Sequence, residues 1–144
     1  MKLIKSGDVD IARIIRVNDD LKAGLNFLVS EDENLQVGVW NHPRGTNLPP
    51  HIHKPLLRST VGTQEVVYVI SGSVHIDLYG IAGDLIYETT LDAGDICICL
   101  AGGHGYSILE SGTKVLEIKN GPYFGQEADK TLIKNLCPGH PEVS

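Results

Sequence analysis

Between residues 65 and 79 the chain holds two short runs dominated by Val, Ile and Tyr, Glu65–Ser71 and 74–79, separated by Gly72-Ser73. β-branched and aromatic residues in runs of this length suit strands, and a Gly-X pair suits the type II′ turn of a tight hairpin. The spacing therefore predicts a hairpin with Ser71 opposite Val74. Because strand side chains alternate faces, that register places Glu65, Val67 and Val69 on the same inner face as Val74, Ile76 and Leu78. It turns Tyr68, His75, Asp77 and Tyr79 outward, which leaves His75 outside any interior site. Glu65 is the exception on an apolar face, and a buried carboxylate is costly unless it is paired or bound to a cation. The inner face thus predicts a partner for Glu65.

The rest of the chain follows the same pattern. Sixteen glycines and seven prolines punctuate short apolar runs, which favours strands and turns over helices. Strands are expected at 11–17, 25–29 and 35–40, a short helix being the alternative for the first. Further strands are expected at 85–91 and 96–100, joined by a turn at 92–95, and at Lys114–Lys119. Gly80–Asp84 reads as a loop, residues 126–135 as one short helix, and 138–144 as a frayed end. At 144 residues and 42% hydrophobic content, the composition supports one domain with one core. Residues 45–119 would form its body, 1–44 its leading strands and 120–144 its tail.

A formal net charge of -6 and a pI near 5.4 without a basic cluster argue against a nucleic-acid or anionic-membrane partner. Asp8, Asp10 and Arg13 interrupt any secretory-type apolar stretch near the start, and no apolar run is long enough to span a bilayer. Three cysteines offer no disulfide framework. Cys97 and Cys99 share a strand face and read as small buried apolar side chains. A cytoplasmic location is the expectation.

His51-Ile52-His53, Glu65 and His104, the last within Gly102-Gly103-His104-Gly105, read as one metal site. Histidines at i and i+2 of a strand point the same way and can reach one ion. Imidazole with a carboxylate suits Zn, Mn, Fe, Ni or Co, and ligand type does not choose among them. His42 and His140 lack such company and read as structural or exposed.

Gly45 precedes His51, Glu65 precedes Gly72, and Gly94-Asp95 opens the strand that runs toward His104. This arrangement resembles the two motifs of the cupin superfamily over about residues 45–119, with residues 54–64 as an insertion in the first motif and Leu100 standing where a proline is common in the second. The resemblance implies an all-β, single-domain cupin-type β-barrel, a double-stranded β-helix or jelly roll with little helix. It implies one divalent metal ion held by His51, His53, Glu65 and His104. Arg58, Tyr106, Glu117 and Lys119 are the candidate substrate-binding residues: Arg58 for an anion, Tyr106 at the mouth, and the other two on a shared strand face.

Three functions follow from the resemblance. The first is a metal-dependent enzyme acting on a small polar metabolite with a carboxylate or carbonyl group, of oxygenase, isomerase, decarboxylase or lyase type. The second is a non-catalytic module that binds a small molecule or is stabilised by its metal. The third is a metal-free isomerase or epimerase of nucleotide-linked sugars, with a histidine as general base. Pairing of cupin barrels through sheet faces, together with the outward apolar set Val66, Tyr68 and Ile70, predicts a homodimer.

Overall fold

In a computed structural model that describes residues 1–133, the chain forms ten strands and one short helix: β1 (Lys2–Ser6), β2 (Val9–Ile15), β3 (Gly24–Phe27), β4 (Gly38–Asn41), β5 (Glu65–Ser71), β6 (Ser73–Tyr79), β7 (Leu85–Asp92), β8 (Ile96–Cys99), β9 (Gly103–Ile108), β10 (Lys114–Lys119) and α1 (Gln126–Asp129). All pairings are antiparallel. The strands make a five-stranded sheet, β1-β2-β8-β5-β10, a three-stranded sheet, β7-β6-β9, and the hairpin β3-β4. The molecule is all-β, and none of the sheets closes into a barrel.

The two larger sheets share one core. Ile11, Ile14, Val67, Val69 and Cys97 come from the five-stranded sheet; Val74, Ile76, Leu78 and Leu91 come from the three-stranded sheet. A second cluster lies on the other face of the larger sheet, where Val66, Ile98 and Leu100 pack with Ile15, Leu28 and Val29, and with Val39 of β4. β8 and the first half of β5 are thereby covered on both sides. A strand covered on both faces reads as a continuous apolar run rather than an alternating one, which is the pattern of Ile96-Cys97-Ile98-Cys99-Leu100. Val66 belongs to this covered face and is buried, so it drops out of the outward apolar set, while Tyr68 and Ile70 stay exposed.

The predicted hairpin at Gly72-Ser73 does not form. β5 pairs with β8 and β10, and β6 pairs with β7 and β9. Gly72 alone separates the strands, with φ 77°, in the left-handed region that glycine adopts without steric cost. A side chain there would also collide with Thr113. The chain therefore turns a corner from one sheet to the other. The inner face stands even so, because Val67 and Val69 face Val74, Ile76 and Leu78 across the core instead of beside them.

The turn at 92–95 is likewise a crossing between sheets, from β7 to β8. Asp95 fixes it: its carboxylate accepts bonds from the Val17 N–H at 2.9 Å, the Asp92 N–H at 3.0 Å and Arg16 Nη1 at 2.7 Å. Burial alone would push its carboxyl up, but these donors outweigh that and hold it below the usual carboxylate range.

β1 and β9 were not anticipated by the sequence pattern. β9 is glycine-rich, and its strand character comes from pairing with β6. β3 and β4 are displaced by one to three residues from the 25–29 and 35–40 expected, and β2 by two from 11–17. Residues 42–64 contain no strand, so His51 and His53 do not lie on one. The expected helix at 126–135 is confined to α1 among the described residues; its end, the expected frayed residues 138–144, Cys137 and His140 lie outside the described residues.

Candidate functional site

Glu65 is the first residue of β5, with Cys99 of β8 and Lys119 of β10 as its cross-strand partners. His104 and Tyr106 project from β9, whose pairing with β6 puts them opposite Leu78 and Ile76. The inner faces of the two sheets bring these groups together. Gly102 makes this possible: at φ 70° it turns the chain into β9 so closely against Tyr79 that a side chain would strike its carbonyl.

Glu65 is 3% exposed. Its Oε1 accepts a hydrogen bond from the Tyr106 hydroxyl at 3.0 Å and lies 3.4 Å from His104 Nε2. The rings of His104 and Tyr106 are 5.2 Å apart. Cys99 Sγ lies 3.8 Å from the Tyr106 hydroxyl and 3.9 Å from Cys97 Sγ. Among the described residues Glu65 has no Lys or Arg within ion-pair distance, and His104 is the partner that its inner-face position predicted.

Burial pushes the Glu65 carboxyl above the usual range, nearby Glu117 adds to this, and His104 and the Tyr106 hydroxyl oppose it. His104 is raised, first by the nearby Cys99, which prevails over burial, and further by Glu65. Of the two thiols, Cys99 is held low, first by the hydrogen bond with Cys97 and, against burial, by His104. Cys97 is pushed up by that same shared bond and by burial. Tyr106 is raised by burial and by its anionic neighbours. Glu65 and His104 are thus both raised while Cys99 beside them is lowered, and perturbed titratable groups gathered at one cavity are suited to acid–base chemistry.

These groups open into a cavity of about 950 Å³. Glu117 and Lys119 of β10 line it, as do Thr60, Gly62 and Thr63, then Gly121, Pro122 and Phe124, and residues 128–133. Lys119 Nζ stands 3.6 Å from Glu117 Oε1, 3.7 Å from Asp129 Oδ2 and 4.7 Å above the Tyr123 ring. Asp129 and Tyr123 were not foreseen as contributors, because no periodic pattern ties the tail to the strands. Cys99 was foreseen as buried but not as a neighbour of the site. Its signal was its place on β8, which β5 was not expected to pair with.

Four of the candidate residues, Tyr106, Glu117, Lys119 and His104, thus meet Glu65 around one cavity. Tyr106 lines the cavity, half-exposed, with its hydroxyl on Glu65. Arg58 is exposed and is not part of the wall. His51 and His53 are exposed on the segment 42–64, their rings edge to face at 5.0 Å, with His51 Nδ1 3.1 Å from the Pro49 carbonyl. The structure gathers two of the four expected metal donors, Glu65 and His104, and does not bring the histidine pair to them. As placed, the four do not form a coordination sphere. The segment is anchored beside the cavity at its far end, where Asn120 accepts from the Gln64 N–H at 2.7 Å and donates to the Gly62 carbonyl at 3.1 Å.

Comparison with protein-family models, with curated proteins and with solved structures finds no match to this chain.

Proposed function

We propose that this chain is an enzyme that moves protons on a small polar metabolite bearing a carbonyl or carboxylate group. The reading rests on one observation: a buried carboxylate, an imidazole and a phenol clustered on the wall of a cavity large enough for such a ligand. His104 borders the cavity and exchanges the proton with substrate. Glu65 orients the imidazole and stabilises its charged form, and Tyr106 holds Glu65 in place through Oε1. Lys119 supplies positive charge to an anionic substrate group that displaces Asp129. Isomerase and lyase chemistry are compatible with these roles.

The test is a ligand panel of keto acids, hydroxy acids and sugar phosphates, read by NMR on the His104 imidazole. A hit should shift that resonance, be turned over by the wild type and lose turnover at least about 100-fold in His104→Asn. A hit turned over equally by the variant would reject His104 as the proton carrier, and binding without turnover would favour a binding module.

A divalent metal at Glu65 is the second reading, favoured because among the described residues no Lys or Arg, the neighbouring Lys119 included, comes within ion-pair distance of this buried carboxylate. Glu65 and His104 would hold the ion, His51 and His53 would have to be carried in by residues 42–64, and the ion would supply Lewis-acid chemistry. Elemental analysis of untagged protein tests it, with the His51→Ala/His53→Ala double variant expected to lose the metal. A cupin-type jelly roll is the matching fold proposal, supported by the way the chain passes between facing sheets from β5 to β6, β7 to β8, β8 to β9 and β9 to β10. We also propose a homodimer through the exposed Tyr68, Ile70, Leu116 and Ile118, and a reducing, cytoplasmic setting consistent with free Cys97 and Cys99.

A further inference from the structure

β6 is the central strand of the three-stranded sheet, and its outer face carries His75 and Asp77. On β7, Glu88 is the direct cross-strand partner of Asp77. His75 Nε2 lies 3.1 Å from Asp77 Oδ1 and 3.8 Å from Glu88 Oε2, and one donor atom from each residue falls within 4.8 Å of the other two. No other group of three metal-type donors meets that distance among the described residues.

Two carboxylates directly opposite each other on paired strands repel, and such pairs weaken a sheet. Among the described residues neither Asp77 nor Glu88 has a Lys or Arg in ion-pair range; their ion pairs run to His75 alone. Asp77 is also partly withdrawn from water, with its side chain 20% exposed. A nitrogen donor set between two carboxylates distinguishes this cluster from a solvated acidic patch.

The backbone holds the donors ready. His75 and Asp77 occupy i and i+2 of one strand, and Glu88 stands on its hydrogen-bonded neighbour, so only side-chain torsions need adjust. On the other flank Asp77 faces Gly105 of β9. A Cβ built at Gly105 would touch Asp77 Oδ2 at 3.9 Å and the Tyr79 ring at 4.0 Å, so the glycine leaves that side of the Asp77 carboxylate uncovered.

From this geometry we infer that His75, Asp77 and Glu88 form a divalent-cation site on the outer face of the three-stranded sheet, taking a borderline ion such as zinc or cobalt. One imidazole and two carboxylates match such ions, with water completing the sphere. The site is separate from the cavity: His104 lies on the inner face with Leu78, whereas His75 and Asp77 point the other way. Bound metal would clip β6 to β7 by removing the repulsion between their carboxylates.

Calorimetric titration of the chelator-stripped full chain with zinc alone is the test. Wild type, His104→Asn and Glu65→Gln should each retain this binding event. His75→Ala and Asp77→Asn should each weaken it by more than about tenfold, since even outer-shell changes reach that size. Glu88→Gln, at an exposed position, controls for folding and should weaken zinc binding at an unchanged melting temperature of the metal-free protein. No zinc binding by wild type, or binding unchanged in the His75→Ala/Asp77→Asn double variant, overturns the assignment. Zinc binding lost in His104→Asn but kept in His75→Ala places the ion in the cavity and overturns it as well.

Discussion

Glu65 and His104, which the structure places on β5 and β9, and His51 and His53, on the segment 42–64, were each expected to supply half of one site, and the two regions differ in what holds them. Val69, Ile76 and Leu78 are fully buried, and their strands are bonded on both sides. Residues 47–60 make no backbone-to-backbone hydrogen bond among the described residues, and Ile52 and Leu57 are 95% and 101% exposed. A donor on a strand with a buried face is placed by the whole core. A donor on a segment with no buried face is placed only by whatever it binds.

The largest effect should come from the first region. Leu78→Ala removes a fully buried side chain between the sheets and should cost about 2–5 kcal/mol, read as a lower midpoint in urea. A cost under about 1 kcal/mol would mean that the two sheets do not share a core.

Next is the Asp95 anchor. Asp95→Ala leaves the Val17 and Asp92 N–H groups without their acceptor and takes one of three acceptors from the Arg16 guanidinium, which keeps Thr90 and Thr89, and should cost about 2 kcal/mol. Because the Asp95 carboxyl is held below its unfolded value, its contribution is present above that value and fades as pH falls through the folded one. The variant should therefore lose less stability to acid than wild type does. Equal acid sensitivity would remove Asp95 from the account.

Glu65 should act in the opposite sense. Its folded carboxyl is raised, so its burden on stability is absent at acid pH, grows as pH rises from the unfolded value to the folded one, and is full above it. Glu65→Gln keeps a group that can accept from Tyr106 without the buried charge. It should stabilise the metal-free protein by about 1 kcal/mol at pH 8 and by less at pH 5. Destabilisation at pH 8 would mean that His104 and the Tyr106 hydroxyl already compensate the buried carboxylate.

The smallest effect belongs to the second region. Ile52→Ala and Leu57→Ala should each change the unfolding midpoint by no more than about 0.5 kcal/mol. A larger loss on adding a divalent ion would show that the segment docks when the ion binds, and would join the two halves of the comparison.

What could be read from the sequence divides along the same line. β5 and β10 match their expected bounds, and the inner face of Glu65, Val67, Val69, Val74, Ile76 and Leu78 is as expected, because a period of two survives any arrangement that buries one face. Which strand pairs with which was not legible. A Gly-Ser pair suits a tight reversal and a corner equally, and only the competition of β8, β10, β7 and β9 for the edges of β5 and β6 decides between them. His104 and Tyr106 were visible as residue types, but the glycines of β9 hid their strand. The contribution of Asp129 and Tyr123 depends on where the tail lies, which no local preference encodes.

The corner at Gly72 bears on how such a chain can change over generations. One added residue there would rotate the following strand and turn Ile76 and Leu78 toward water, so heritable length variation at this point is close to lethal for the fold. The stretch between β4 and β5 can lengthen at a cost that grows only slowly with its length. New ligand preferences can therefore arise by remodelling residues 42–64, while Glu65, His104 and Tyr106 are passed on unaltered.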